Sequence, residues 1–315
     1  MPPRLALGLA ALGRPAYITV GHAGDFPEGR SPEEMERHAH AVLDAAHAGG
    51  VRVFDAARSY GRAEAFLRSW LDARAIAPGQ VLVSSKWGYR YTGDWQLRAE
   101  RHEVKDHSLA ALRRQLAESR VALGPHLALY QIHSATTESG VLRDGDVLDE
   151  LARARDAGLA IGVTVSGPGQ AATVREALEI RRGGDWVFAA VQATWNVLER
   201  SCEDALREAR ASGRTVIVKE ALANGRLGPR GDAAAGSLRD LARAVGAEVD
   251  AVALAVVLAQ PFVDIALLGS STTAQLASNL RARDVRLPPD ALQRLAPMRE
   301  ESDAYWMKRA RLPWS

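Results

Sequence analysis

Four titratable side chains stand at or just behind the ends of short apolar runs. Asp55 directly follows one such run, and Tyr60 lies in the loop behind it. Lys86 and His133 each follow a further apolar run. Carboxylate, phenol, ammonium and imidazole are groups that proteins use for proton transfer. Each one alone also fits a structural role, namely a helix cap, a loop aromatic, a snorkelling lysine or a hydrogen-bonded histidine. All four together favour a shared site.

The elements that position these residues alternate between short β runs and amphipathic helical stretches. The β runs are continuously apolar, as expected for a parallel sheet covered on both faces. Helix ends carry signals such as Ser31 before Glu33 and Glu34, with a glycine pair behind the stretch. The predicted β runs are Leu5–Leu12, Val51–Phe54, Val81–Ser85, Leu127–Ile132, Ala160–Val165, Trp186–Val191, Thr215–Val218 and Val263–Leu268. The predicted helices are Pro32–His47, Ala63–Arg74, Glu103–Leu123, Val147–Ala157, Gln170–Arg181, Cys202–Ala211, Leu238–Val245, Ala251–Leu258, Thr273–Ala282 and Asp290–Met298.

Eight βα units over 315 residues predict an α/β fold, a (β/α)8 TIM barrel forming a single domain over residues 1–315. Residues 283–315 are expected to form a C-terminal helix and tail near the barrel mouth. A doubly wound open sheet is the alternative architecture. Barrel enzymes carry their chemistry at the C-terminal ends of the strands. The barrel prediction therefore brings Asp55, Tyr60, Lys86 and His133 to one rim.

Composition narrows the class of protein. The chain is 47% hydrophobic and 25% charged with a net charge of +2, which gives no case for a nucleic-acid or membrane partner. It has one cysteine, Cys202, and no apolar run long enough to span a bilayer. We therefore expect a cytoplasmic protein. The sequence does not predict its oligomeric state. His38 and His40 lie on different helix faces, so we predict no metal site.

Three stretches resemble the aldo-keto reductase family. They are DAARSYG around Asp55 and Tyr60, VLVSSKWG around Lys86, and LYQIHS around His133. The resemblance extends from Leu7 to about Ala282. It implies a (β/α)8 fold and hydride transfer between a nicotinamide cofactor and a carbonyl compound. The implied reaction is NAD(P)H-dependent reduction of an aldehyde or ketone to an alcohol, or its reverse.

The resemblance also implies a role for each of the four residues. Tyr60 donates the proton to the carbonyl oxygen, and Lys86 lowers the pKa of that phenol so that it can act near neutral pH. Asp55 fixes Lys86 and balances its charge. His133, expected to be neutral, donates a hydrogen bond that orients the carbonyl.

The cofactor site is expected at later strand ends, since no G-x-G-x-x-G opens a helix behind a strand. The stretch LLGSSTTAQLASNL resembles the family's adenosine-phosphate clamp, where backbone N–H groups at a helix start suit an anion. The alternative is ordinary helix capping by Ser270 to Thr272. The predicted cofactor residues are Thr164, Ser166, Gln192, Lys219, Leu222, Gly225, Gly269, Ser270, Ser271, Thr272, Gln275 and Asn279.

Two departures concern the nicotinamide end. Behind the fifth strand the family has Ser-Asn, whereas this chain has Thr164 and Ser166 with no amide. At the end of the seventh strand Lys219 replaces an aromatic residue that often stacks on the nicotinamide.

A third departure concerns the clamp. Gly269 and Gln275 stand where Arg or Lys commonly holds a 2′-phosphate. The resemblance still favours NADP(H) over NAD(H), with Arg281 and Arg283 as candidates to compensate.

The substrate is expected to be a small carbonyl compound or alcohol. Trp87 and Trp306 are the predicted substrate contacts, together with the aromatic cluster Tyr89, Tyr91 and Trp95. The alternative is that these aromatics only pack their own loop.

Two other functions stay open from the sequence. A Schiff-base lyase or aldolase would use the amine of Lys86 or Lys219. A non-catalytic nucleotide-sensing barrel would keep the cofactor site without turnover.

Overall fold

The computed structural model of the chain describes residues 4–231 and 236–315, and eight parallel strands close a barrel within them. The order around the barrel is β1-β8-β7-β6-β5-β4-β3-β2, with every neighbouring pair parallel. This confirms the predicted (β/α)8 barrel and excludes the open sheet. The strands are β1 (Arg4–Gly8), β2 (Val53–Asp55), β3 (Leu82–Trp87), β4 (Leu127–Ala135), β5 (Ala160–Val165), β6 (Ala190–Thr194), β7 (Thr215–Lys219) and β8 (Ile265–Leu268).

Helices follow the strands and cover the outside of the barrel. Helix α1 begins as predicted, because Ser31 Oγ accepts from the Glu34 amide while the Glu34 carboxylate accepts from the Ser31 amide. No helix in the described ranges is long and apolar enough to cross a membrane. The helices are α1 (Pro32–Ala48), α2 (Ala63–Ala73), α3 (Leu109–Leu123), α4 (Gly145–Asp156), α5 (Gln170–Leu178), α6 (Glu203–Ala211), α7 (Gly236–Val245), α8 (Val249–Leu258), α9 (Thr273–Leu280), α10 (Ala291–Arg294) and α11 (Ser302–Ala310).

The start of the third predicted helix is wrong. Glu103–Lys105 is a short strand that pairs antiparallel with Tyr89–Tyr91 in the loop behind β3. Helix α3 begins only after Ser108, whose hydroxyl accepts a hydrogen bond from the Ala111 amide. The cap signal at Ser108 is present in the sequence, but the polar residues before it also fit the first turn of a helix.

The sixth predicted strand is displaced along the chain. Trp186 belongs to a two-stranded hairpin formed by Arg181–Arg182 and Asp185–Trp186, outside the barrel. Barrel strand β6 begins at Ala190 and ends at Thr194. The apolar run is continuous across this boundary, so hydrophobicity alone could not separate the hairpin from the strand.

The barrel interior has an apolar floor and a polar mouth. A small cluster fills the interior at the N-terminal ends of the strands, formed by Ala6, Val53, Leu129, Ala190, Ile217 and Ile265. Strand side chains alternate between the two faces, so the next inward position lies two residues further along. For three of these strands that position holds Asp55, Gln131 or Gln192, all buried. Polar groups therefore point inward at the C-terminal end.

The loop that carries Tyr60 is held by a close approach of two backbones. The predicted run Leu5–Leu12 ends as strand at Gly8 and turns back to place Gly13 against the loop behind β2. The Arg62 amide donates to the Gly13 carbonyl at 2.7 Å. A Cβ on Gly13 would lie 2.3 Å from the Tyr60 carbonyl oxygen, and one on Gly61 would lie 2.4 Å from the Gly13 carbonyl oxygen.

We expect Gly13→Ala to destabilise the protein by about 1–3 kcal/mol, because the added methyl group meets backbone that cannot rotate away. Chemical denaturation measures the loss in free energy of unfolding. Gly24→Ala is the matched control in the same loop, since a Cβ there meets nothing within 4 Å. Equal stability of the two variants would contradict the packing described for Gly13.

Candidate active site

The centre of the site is a buried ion pair between Lys86 and Asp55. Lys86 Nζ donates to Asp55 Oδ2 and, at 2.9 Å, to the carbonyl oxygen of Ala56. The lysine and aspartate side chains are 1% and 4% exposed. Asp55 Oδ1 accepts from the Ser84 hydroxyl and, at 3.3 Å, from Gln131 Nε2. Both carboxylate oxygens are thus paired, as a charge removed from water requires.

Tyr60 and His133 lie beside this ion pair. Lys86 Nζ is 5.0 Å from the centroid of the Tyr60 ring. Tyr60 Oη is 3.4 Å from His133 Nε2, and the two rings meet edge to face with centroids 5.4 Å apart. The structure therefore brings together the four residues singled out in the sequence, at the C-terminal ends of β2, β3 and β4.

The charge state of the two rings follows from burial. Burial raises the pKa of Tyr60 well above that of a free phenol, and the Asp55 carboxylate adds to the shift. This direction is opposite to the lowering that we predicted from Lys86: burial is the largest cause, Asp55 adds to it, and the cation that lowers the pKa most is Arg14. Burial, together with the charge of Lys86, holds the pKa of His133 well below its usual value. The imidazole is therefore neutral at pH 7, as expected.

A cavity of about 560 Å³ opens at the same end of the barrel, large enough for a small ligand. It reaches from Tyr60 and His133 to Asn279 on α9. The predicted cofactor residues that line it are Thr164, Ser166, Gln192, Lys219, Leu222, Gly225, Gly269, Ser270, Gln275 and Asn279.

Two predicted cofactor residues do not line the cavity. Thr272 is the N-cap of α9, where its hydroxyl accepts from the Gln275 amide at 3.1 Å. Ser271 is 1% exposed and donates its hydroxyl proton to Asp25. Thr272 thus caps the helix and Ser271 is bonded to the Asp25 side chain, and a cofactor contact of either residue stays a prediction.

Neither predicted substrate tryptophan lines the cavity. Trp87 is fully buried and contacts His107 edge to face, because alternation along β3 turns it outward when Lys86 points inward. Trp306 is 8% exposed and packs beneath the cations of Lys219 and Arg309. The structure therefore places neither tryptophan on the cavity wall, and a contact of either one with substrate stays a prediction. The aromatic residues that do line the cavity are Tyr17, Tyr60, Tyr89 and Trp314.

Lys219, at the end of β7, is held by polar partners. Its Nζ donates to Thr194 Oγ1 at 3.0 Å and lies 3.8 Å from Glu220 Oε1. Glu220 in turn receives two-pronged hydrogen bonds from Arg309 on α11 at 2.6 to 3.0 Å. Burial lowers the pKa of Lys219 to about 8. The cavity wall therefore carries a cation that loses its charge close to neutral pH.

Sequence reasoning missed a cation beside the phenol. Arg14 is 2% exposed, and its Nη1 donates to Glu103 Oε2 at 2.8 Å. The guanidinium lies 5.1 Å from the centroid of the Tyr60 ring and 4.8 Å from that of Trp314. No local signal marks Arg14, because its partners come from distant parts of the chain.

A second missed residue, Asp25, lies behind the part of the cavity wall that Arg230 and Gln275 form. It is 3% exposed, although it sits in the long loop between β1 and α1. Its Oδ1 accepts from Gln275 Nε2 at 3.0 Å and from Arg230 Nη1 at 2.9 Å, while Oδ2 accepts from the Ser271 hydroxyl. Three loops therefore meet at one carboxylate.

The two arginines proposed to replace the missing cations of the phosphate clamp lie away from the cavity. Neither Arg281 nor Arg283 lines the cavity. Arg283 Nη1 donates to the carbonyl oxygen of Gly49 at 2.7 Å, behind helix α1.

The residues that line the cavity suit a nicotinamide dinucleotide in their chemistry. Amides and hydroxyls are spread along its length, as a ligand with a carboxamide, two riboses and a pyrophosphate requires. Asn224 Oδ1 is buried in its wall and accepts no hydrogen bond from any residue that the structure describes.

Across residues 4–231 and 236–315, no cluster of His, Cys, Asp or Glu side chains could hold a metal ion.

Comparison with known proteins agrees with this fold. The chain is similar to Protein tas of Escherichia coli (strain K12) and of Shigella flexneri, with 25% identity over 310 residues, 82% of this chain and 88% of each relative. Its fold is similar to that of aldo-keto reductase AKR11C1 from Bacillus halodurans in its holo form, with a TM-score of 0.70 and 17% identity, covering 95% of this chain and 92% of that one. The family model described as Aldo/keto reductase family matches residues 6–300. The chain belongs to the aldo/keto reductase family, whose members are oxidoreductases.

Proposed function

We propose that the protein reduces a small aldehyde or ketone to an alcohol with NAD(P)H, or catalyses the reverse oxidation. The observation that carries the proposal is the buried Lys86–Asp55 ion pair beside Tyr60 and His133 at one end of a cavity whose lining residues suit a dinucleotide. When bound, the nicotinamide supplies or accepts the hydride.

Each of the four residues has a task in this proposal. Tyr60 holds the proton that passes to the carbonyl oxygen, and its raised pKa keeps that proton in place until the oxygen becomes basic. Lys86 stabilises the phenolate left behind, and Asp55 holds Lys86 in position. Neutral His133 offers one ring N–H to the carbonyl oxygen and so orients it.

The residues proposed to hold the cofactor are those that line the cavity away from Tyr60. Thr164 and Gln192 lie on β5 and β6 of the barrel, whereas Ser270 lies in the loop between β8 and α9 and Asn279 lies on α9. The family resemblance predicts NADP(H) in preference to NAD(H), and that preference stays a prediction. A cytoplasmic location also stays a prediction.

One observation favours a second candidate, a Schiff-base reaction at Lys219. An amine that loses its proton near pH 8 inside a cavity has the character of a nucleophile. Lys86 does not share it, because it is locked to Asp55 and does not line the cavity. A lysine adduct trapped by borohydride from a carbonyl substrate, mapped to Lys219 by mass spectrometry, would favour this reaction over hydride transfer.

We expect Tyr60→Phe to lower turnover of an aldehyde panel by roughly 10²–10⁴-fold, the usual contribution of a positioned acid. Binding of ADP-ribose, measured by calorimetry, should change little because the phenol lies at the other end of the cavity.

Tyr91→Phe is the matched control, since that phenol accepts from the Trp95 amide and does not line the cavity. Normal turnover in Tyr60→Phe would refute the acid role. ADP-ribose binding without any turnover in the wild-type protein would favour the nucleotide-sensing alternative.

The lowered pKa of Lys219 predicts a pH dependence of anion binding. Below pH 8 the side chain is positive and attracts the pyrophosphate, and above pH 8 that attraction is lost. We expect ADP-ribose affinity to fall about tenfold as pH rises through 8, which corresponds to roughly 1.4 kcal/mol. Lys219→Met should bind weakly at all pH values, without this step. A step that persists in the variant would assign the effect to another group.

A further inference from the structure

The nucleotide end of the cavity is built around a buried carboxylate. Asp25 accepts hydrogen bonds from Gln275, Arg230 and Ser271, and His22 Nδ1 lies 3.3 Å from its Oδ2. Gln275 and Arg230 both line the cavity, whereas Asp25 lies directly behind them. The side chains that could face a phosphate, Arg230 and Gln275, therefore already donate hydrogen bonds to the Asp25 carboxylate.

The described side chains that line this end of the cavity offer a phosphate no unpaired cation. A second arginine near Asp25, Arg30, donates to the carbonyl oxygens of His22 and Ala23 and does not line the cavity. Arg230 is the one cation among the described residues that line this end, and Asp25 neutralises it. A second carboxylate, Asp250, also lines the cavity and accepts from Ser278 Oγ at 2.9 Å and from Asn279 Nδ2 at 2.6 Å.

Asp25 stays ionised under all physiological conditions. Hydrogen bonds from His22, Arg230 and Ser271, together with the charge of Arg230, outweigh burial and hold the pKa of Asp25 well below its usual value. Burial also lowers the pKa of His22, so the adjacent imidazole is neutral at pH 7 and adds no positive charge.

We propose that Asp25 is a specificity-determining residue that makes the protein select NAD(H) against NADP(H). A 2′-phosphate brings about −1.5 to −2 charges at pH 7 and requires free cations, as at other phosphate sites. At this end of the cavity it meets the Asp250 carboxylate and an arginine that is already paired with Asp25 behind the wall. A ribose that keeps its 2′-hydroxyl brings no charge, and carboxylates mark NAD sites in other folds for that reason.

This inference rests on the proposed cofactor and reverses the preference that the family resemblance predicts. That prediction counted only the residues replaced in the clamp. The structure adds the negative charge of Asp25 from the loop between β1 and α1, which is distant in sequence, and that charge favours NAD(H) over NADP(H).

Calorimetric titration with ADP-ribose and with 2′-phospho-ADP-ribose tests the inference without a reaction. We expect the wild-type protein to bind ADP-ribose at least tenfold more tightly than its 2′-phosphate. Asp25→Asn keeps the size of the side chain and removes its charge, so the ratio should fall about tenfold, chiefly through tighter binding of the phosphate. Glu28→Gln removes an equal charge from an exposed position of the same loop and should leave the ratio unchanged.

The outcomes separate this inference from the proposed function. Equal binding of both ligands, or tighter binding of the phosphate by the wild-type protein, overturns the selectivity and leaves the cofactor proposal standing. Binding of neither ligand overturns both. If Asp25→Asn does not fold, the ratio of the two affinities in the wild-type protein still decides whether the protein selects against the 2′-phosphate. If it folds and keeps the wild-type ratio, Asp25 is not the cause.

Discussion

The site depends on one interaction, the ion pair of Lys86 and Asp55 inside the barrel. Removing two charges from water costs several kcal/mol for each ion, and attraction offsets that cost only when the remaining hydrogen-bonding groups are satisfied. In this protein the barrel supplies those partners from neighbouring strands: Ser84 from β3, Gln131 from β4, and the Ala56 carbonyl behind β2. The closed sheet is therefore what makes a fixed cation possible beside the phenol.

Burial sets the charge of the catalytic end of the cavity. It raises the pKa of Tyr60 and lowers that of His133, so both rings are uncharged at pH 7 until a substrate changes the balance. Two further ion pairs line the cavity: Arg14 with Glu103, and Glu220 with Arg309. Helix α11 thereby ties the C-terminal part of the chain to the end of β7.

The sequence predicted the architecture and the four central residues because both leave local signals. Apolar runs, helix caps and glycines at helix ends repeat along the chain. Lys86 lies in the stretch VLVSSKWG, which resembles the family's pattern. Trp87 could have been assigned correctly from the same rule, since strand alternation turns it away from Lys86. The direction of the pKa shift of Tyr60 could not, because burial outweighs the local charge and is known only from the packed structure.

Residues that act through distant partners could not be predicted. Asp25 and Arg14 lie in the long loop behind β1, where no periodicity exists, and each finds its partners from remote segments. The helix predicted from Glu103 failed for a related reason. That segment pairs with Tyr89–Tyr91, and a two-stranded pairing of short segments is set by tertiary contact rather than by local propensity.

The most direct test of the central claim is a double-mutant cycle between Tyr60→Phe and Lys86→Met, measured as turnover of an aldehyde in single-turnover kinetics. If Lys86 acts through the phenol, each single variant loses most of the rate and the double variant loses hardly more than either alone. Losses that multiply in the double variant would show that Lys86 and Tyr60 act independently, and would contradict a phenol that depends on the buried ion pair.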